Sequence, residues 1–115
     1  MTQQPILQWS MSCANGPNEL VEINLEGEVD LSSAEILREA LAEGLQSGAT
    51  TVIVDAARLT YLDSSGIACL VVALKDAAAV GSRLVLRQPT ATVRRVLEIT
   101  ELDRILLDGG SDGQG

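Results

Sequence analysis

The chain contains no histidine and no phenylalanine, and only a single tryptophan, tyrosine and lysine. The missing histidine removes the commonest general base, the imidazole metal ligand and most nucleophilic triads together. Two cysteines, Cys13 and Cys69, stand far apart, without metal-ligand or C-x-x-C spacing. In a reducing cytosol they are expected to be free thiols. The longest apolar run, residues 67–74, falls far short of the roughly 20 residues that span a bilayer. The N-terminal MTQQPILQW lacks the basic and apolar regions of a signal peptide, so a cytoplasmic protein is expected. Positive charge is scarce too. Sixteen acids against eight bases leave −8, which makes nucleic acid and membrane surfaces poor partners.

What is present is aliphatic. Leu, Ile, Val and Ala dominate the hydrophobic 46% of 115 residues, enough for one domain with its own core. A single domain over 1–108 is expected, with 109–115 (GGSDGQG) as a disordered tail. From Leu20, Val21, Ile23 and Leu25 alternate with Glu22, Asn24 and Glu26, predicting a half-buried strand that ends at Gly27 to Asp30. Residues 6–12 are its weaker partner, with the turn at CANGPN. Ser32 and Glu35 fit a capping box before a helix through Leu37, Ala40, Leu41 and Leu45, stopped by Gly48. TTVIVD has the composition of a strand covered on both faces, followed by a connection over 58–62. A second helix begins near Ser64, with Ile67, Leu70, Val71, Leu74 and Ala78 inward and Gly81 as its stop. RLVLR is the next strand. A helix from about Thr90 carries Val93, Val96 and Leu97 on one face, and ILL at 105–107 is a short strand or a helix end. The order β-β-α-β-α-β-α(-β) predicts an α/β domain, a mixed sheet with helices packed on it and right-handed crossovers.

The chemistry gathers at LDSSG, residues 62–66. Leu62 stands where the G-x-S-x-G elbow needs its first glycine. The lone base available to a serine nucleophile, Lys75, lies eleven residues on from Ser64, or ~16 Å along a helix. A Ser–Lys dyad is thereby excluded, and the chain is not expected to be an enzyme. Asp30 and Asp63 at strand-to-helix junctions read as caps rather than as an acid/base or metal pair. Ser64 at a helix start has two readings: a cap, or a rigidly presented hydroxyl that can be phosphorylated. Phosphate there would meet free N–H groups at the helix start. Toward a partner it would add roughly −1.5 to −2 of charge. Ala68, Cys69, Val72, Asp76 and Ala79 point away from the inward stripe. Apolar residues there suggest a docking surface, or a face covered by another element of the fold. Cys69 on that face has two readings, an accessible thiol open to oxidation or an inert surface cysteine.

Three motifs in order, G-E-x-D at 27–30, L-x-x-L-D-S-S-G at 59–66 and a V-x-R-x-L-x-I-T-x-L-like run over 93–102, carry a resemblance. Over roughly residues 20–107 the chain resembles the bacterial anti-sigma-factor antagonists, the small single-domain STAS proteins. The resemblance implies partner switching. The unphosphorylated antagonist binds an anti-sigma factor that is also a serine kinase, and frees the sigma factor. The kinase, using its own ATP and Mg²⁺, phosphorylates the antagonist, and a PP2C-type phosphatase resets it. No cofactor of the antagonist itself is implied, and a monomer is expected. Ser64 corresponds to the phosphoacceptor. Ser65 and Gly66 complete the motif, Asp30, Tyr61 and Asp63 adjoin it, and Ala68, Cys69 and Val72 fall on the implied partner face. Ala68 stands where the family often has glycine, Leu97 where an aromatic is frequent, and Glu101 where a glycine usually precedes Leu102. An alternative is a STAS-type ligand sensor or scaffold that binds an anion or nucleotide at the Ser64 helix N-terminus without regulated phosphorylation.

Overall fold

The computed structural model describes residues 6–14 and 20–107. The tail expected over 109–115 and most of the CANGPN turn lie outside them. Strand β1 (Leu7–Ala14) runs antiparallel to β2 (Leu20–Val29). Helix α1 (Ala34–Gln46), β3 (Thr51–Leu62), α2 (Ser64–Val80), β4 (Arg83–Arg87), α3 (Ala91–Ile99) and α4 (Asp103–Leu106) follow. The sheet order is β1-β2-β3-β4, with β3 parallel to both β2 and β4. The expected mixed sheet with its strand and helix order is thus realised. Residues 105–107 satisfy both alternatives, ending α4 and making one bridge from Leu107 to Leu86.

Both crossovers, β2–α1–β3 and β3–α2–β4, step the same way across the sheet. Right-handedness therefore sets α1 and α2 on one face, where they pack against each other. Val21 and Ile23, Val52 and Val54, Leu84 and Leu86 share that face by register, and all are buried. With Leu37, Ala40, Leu41, Leu70, Ala73, Val93 and Leu97 they form one core. The opposite face carries Glu22, Asn24, Asp55, Arg83 and Arg87. Ile53 and Val85 pair there, buried but outside the main core. TTVIVD is therefore buried on both faces, as its composition predicts.

Two of three local readings are corrected. Strand β2 ends at Val29, within the expected bounds, and runs through Gly27. At φ +125° a side chain there would be strained, and a Cβ would stand 1.9 Å from the Ile6 carbonyl oxygen, so glycine lets β1 pass. Residues 58–62 are not a connection but the second half of β3. Two bulges keep β3 paired: Leu25 faces both Ala56 and Ala57, and Thr60 is an extra residue between Leu59 and Tyr61. The bulges return Leu59 and Leu62 to the core while Tyr61 faces solvent. Finally, the Ser32/Glu35 capping box does not form. Ser33 holds the cap position without a side-chain cap bond, and Glu35 pairs with Arg38 instead.

Candidate functional site

The C-terminal ends of β2 and β3 converge at one end of the sheet, where Val29 pairs with Leu62. The Asp63 N–H donates to the Val29 carbonyl at 3.1 Å, tying the start of α2 to the end of β2. Extended backbone at Asp63 (φ −106°, ψ −168°) turns its carboxylate back over the helix. Oδ1 accepts from Ser65 N at 2.8 Å and Gly66 N at 3.3 Å, and the Asp63 carbonyl accepts from Ile67 N. Asp63 is therefore the N-cap, and Ser64 is the first helical residue. Gly66 is buried against the strand ends. A Cβ there would meet Leu62 Cδ1 at 2.2 Å and Val29 Cγ1 at 2.8 Å. The glycine lets α2 seat close enough to present Ser64 in a fixed position.

Ser64 is exposed, and among the described residues no group hydrogen-bonds its hydroxyl. The expectation that a phosphate would find free N–H groups fails at the three residues after Ser64. Those of Ser65, Gly66 and Ile67 are already taken by Asp63. A phosphate on Ser64 Oγ would stand outward beside a carboxylate.

Asp30 closes the neighbouring turn. Its Oδ1 accepts from the Ser32 hydroxyl at 2.7 Å, Ser32 N at 2.9 Å and Ser33 N at 3.2 Å. These bonds, the Ser32 hydroxyl foremost, hold its carboxyl below the ordinary 3.8. Ser33, buried, donates its hydroxyl to the Glu28 carbonyl and accepts from Asp30 N. The turn thereby holds Leu31 out in solvent, 82% exposed. Tyr61 on β3 is 46% exposed and Val72 on α2 51%. Asp30, Tyr61, Asp63, Ser64, Ser65 and Gly66 thus come to one end of the molecule. Ser64, Ala68 and Val72, four residues apart, form an exposed ridge running from it.

Cys69 departs from its expected place. The buried line of α2 is Gly66, Leu70, Ala73 and Ala77, whereas Ala78, expected inward, is exposed. That rotation carries Cys69 toward α1, where its Sγ lies 3.5 Å from the Ala34 carbonyl oxygen. Burial there pushes the thiol pKa up, against a smaller opposing pull from Arg38. It is a half-buried packing thiol, not an outward reactive one. Leu31 was missed by sequence reasoning. Its signal was an apolar residue between Asp30 and Ser32 in an otherwise polar turn.

A depression of about 410 Å³ lies away from this end, on the open sheet face, lined by Gln8, Ser10, Asn24, Glu26, Asp55 and Arg58. It follows from the first bulge, and Asp55 Oδ1 is occupied in accepting the bulge N–H of Ala57 at 2.9 Å. Among the described residues no group of three acids or cysteines could hold a metal ion, and no helix is long and apolar enough to cross a membrane.

The chain has counterparts among known proteins. The family profile described as "Mlab, STAS domain" matches residues 15–108. The anti-sigma F factor antagonist of Lysinibacillus sphaericus is 31% identical over 91 residues, 78% of each chain. Among solved structures, the anti-sigma factor antagonist SpoIIAA in its unphosphorylated form superposes with TM-score 0.73 at 29% identity, covering 89% of this chain and 88% of that one. The Bacillus cell fate determinant SpoIIAA in the phosphorylated form gives 0.67 at 28%, covering 89% and 91%.

Proposed function

The chain belongs to the STAS domain family, and from that premise we propose that it is an anti-sigma-factor antagonist whose binding is switched off by phosphorylation of Ser64. Unphosphorylated, it binds an anti-sigma factor that is also a serine kinase, and the sigma factor held by that partner is released. The kinase brings its own ATP and Mg²⁺ and transfers phosphate to Ser64 Oγ, and a PP2C-type phosphatase removes it. All of this is cytoplasmic chemistry. The chain itself is a binding protein without catalysis.

The observation that carries the reading is the Ser64 hydroxyl, exposed and unbonded at the head of the Ser64–Ala68–Val72 ridge. Asp63 supplies the cap, so Ser64 has no structural duty that modification would disturb. The partner surface is the ridge with Leu31 and Tyr61, apolar groups held in solvent around one neutral hydroxyl. A phosphate there places a near-dianion beside Asp63 and Asp30. An interface that had buried the hydroxyl then holds uncompensated charge, which costs several kcal/mol. The relatives named as antagonists, one solved with and without phosphate, support the same reading.

Matched baits test it. Wild-type, Ser64→Ala and Ser64→Asp chains are used to capture proteins from source-cell lysate, read by mass spectrometry. A serine-kinase ATPase held by wild type and Ser64→Ala and absent with Ser64→Asp is the expected result. Equal capture by all three would remove the switch and leave a ligand-sensing or scaffold role.

A further inference from the structure

We infer that Leu31 is the specificity-determining residue of the Ser64 surface: a preformed anchor that fits an apolar pocket on the anti-sigma factor. That role rests on the function proposed above, and adds to it the chemistry the partner must offer beside Ser64.

Leu31 has the most exposed large hydrophobic side chain among the described residues. It is also held still. Before it, Val29 pairs with Leu62, and the Val29 carbonyl accepts from Asp63 N at 3.1 Å. After it, α1 begins at Ala34 and packs against α2. Within the turn, Asp30 Oδ1 takes the Ser32 hydroxyl and the N–H groups of Ser32 and Ser33. Ser33, buried, reaches the Glu28 carbonyl at 2.8 Å and the Asp30 N–H at 3.0 Å through one hydroxyl. A turn tied at so many points has already lost the freedom that an interface would otherwise have to remove. Leu31 and Ser64 each stand two residues beyond a paired position, Val29 and Leu62, so their spacing is fixed as well.

The same bonds decide what Leu31 can recognise. The side chains of Asp30, Ser32 and Ser33 are engaged inside the turn, and Leu31 itself presents only hydrocarbon. A partner with polar or charged groups opposite it would bury them unbonded and be rejected. A partner with an apolar pocket there gains the burial of a whole leucine side chain. Tyr61 and Val72, each about half exposed, extend the apolar contact onto β3 and α2. Choice of partner and release of partner therefore lie on different elements. Leu31 is on the β2–α1 turn, and Ser64 is at the head of α2.

Calorimetric titration of the captured anti-sigma factor with the full chain as wild type, Leu31→Ala, Leu31→Asn and Leu31→Met tests this. Leu31→Ala and Leu31→Asn are expected to bind at least about ten-fold more weakly, with unchanged thermal melts, because so exposed a side chain touches little of its own fold. Leu31→Met, apolar and of similar volume, should stay within about three-fold of wild type. With the partner acting as kinase, Leu31→Ala should raise the KM for Ser64 phosphorylation by about ten-fold and leave kcat unchanged, as loss of uniform binding does. Undiminished affinity of Leu31→Ala for a partner that wild type binds overturns the anchor and leaves the Ser64 switch standing. A melting temperature lowered in step with affinity makes Leu31 structural and overturns it too. A wild-type chain that captures no serine-kinase partner removes the proposed function, and the anchor with it.

Discussion

Asp63 and Ser64 divide two tasks that their adjacency conceals. Asp63 satisfies the first N–H groups of α2 and Ser64 satisfies none, so their substitutions should separate. Asp63→Ala is expected to lower stability by about 0.5–2 kcal/mol, and Ser64→Ala by less than about 0.5 kcal/mol. Denaturant melts of the two variants check this, and equal losses would return Ser64 to a capping role. Glu101 is a second residue with a separable conformation. Its φ of +63° lies in the left-handed region, where an L side chain is disfavoured by about 1–2 kcal/mol. A glycine there would relieve that strain, less its own greater entropy loss on folding. Glu101→Gly should therefore stabilise the chain by about 0.5 kcal/mol, and Glu101→Val should destabilise it. Melts of the pair would show the order.

The Asp30 turn behaves as a unit because one carboxylate oxygen holds it. The folded-state pKa of Asp30 is depressed, so the stability it contributes is present above the unfolded value of 3.8 and is lost as pH falls through the folded one. The melting-temperature difference between wild type and Asp30→Asn should be steady near neutrality and shrink below pH 3.8. A difference that does not change with pH would mean that the carboxylate's charge is idle. Helix α2 makes the other element-scale claim. Its rotation half-buries Cys69, whereas Cys13 stands on the exposed end of β1. Iodoacetamide should alkylate Cys13 well before Cys69, as read by peptide mass mapping, and the reverse order would contradict the placement. The rotation was hard to read from sequence because almost every position of α2 is apolar, so periodicity barely distinguishes its faces. Leu70 was legible. Gly66, Ala73 and Ala77 line the true buried edge because small residues let α2 approach its neighbours, a steric reason that hydrophobicity does not report.

At the scale of the whole molecule, the sheet and its order were legible because β2 alternates strictly, and TTVIVD and RLVLR are bounded by turn residues. The second half of β3 was not, because two bulges break the period of two at Ala56–Ala57 and at Thr60. The LDSSG motif marked the candidate site with Tyr61 and Val72 beside it, whereas Leu31 was not legible. Leu31 and Tyr61 are exposed by the path of the backbone, through the Asp30 turn and the second bulge, which composition does not encode. The same topology joins the two strand ends beneath the head of α2, so that phosphate on Ser64, as proposed, would alter a whole partner face without altering the fold. The direct measurement is calorimetric titration of the captured anti-sigma factor with the unmodified chain and with the chain stoichiometrically phosphorylated on Ser64, both with matched melts. The account predicts a loss of affinity of at least about thirty-fold for the phosphorylated chain, the range expected for burying an uncompensated charge, at unchanged stability. Equal affinity for the two forms would contradict it.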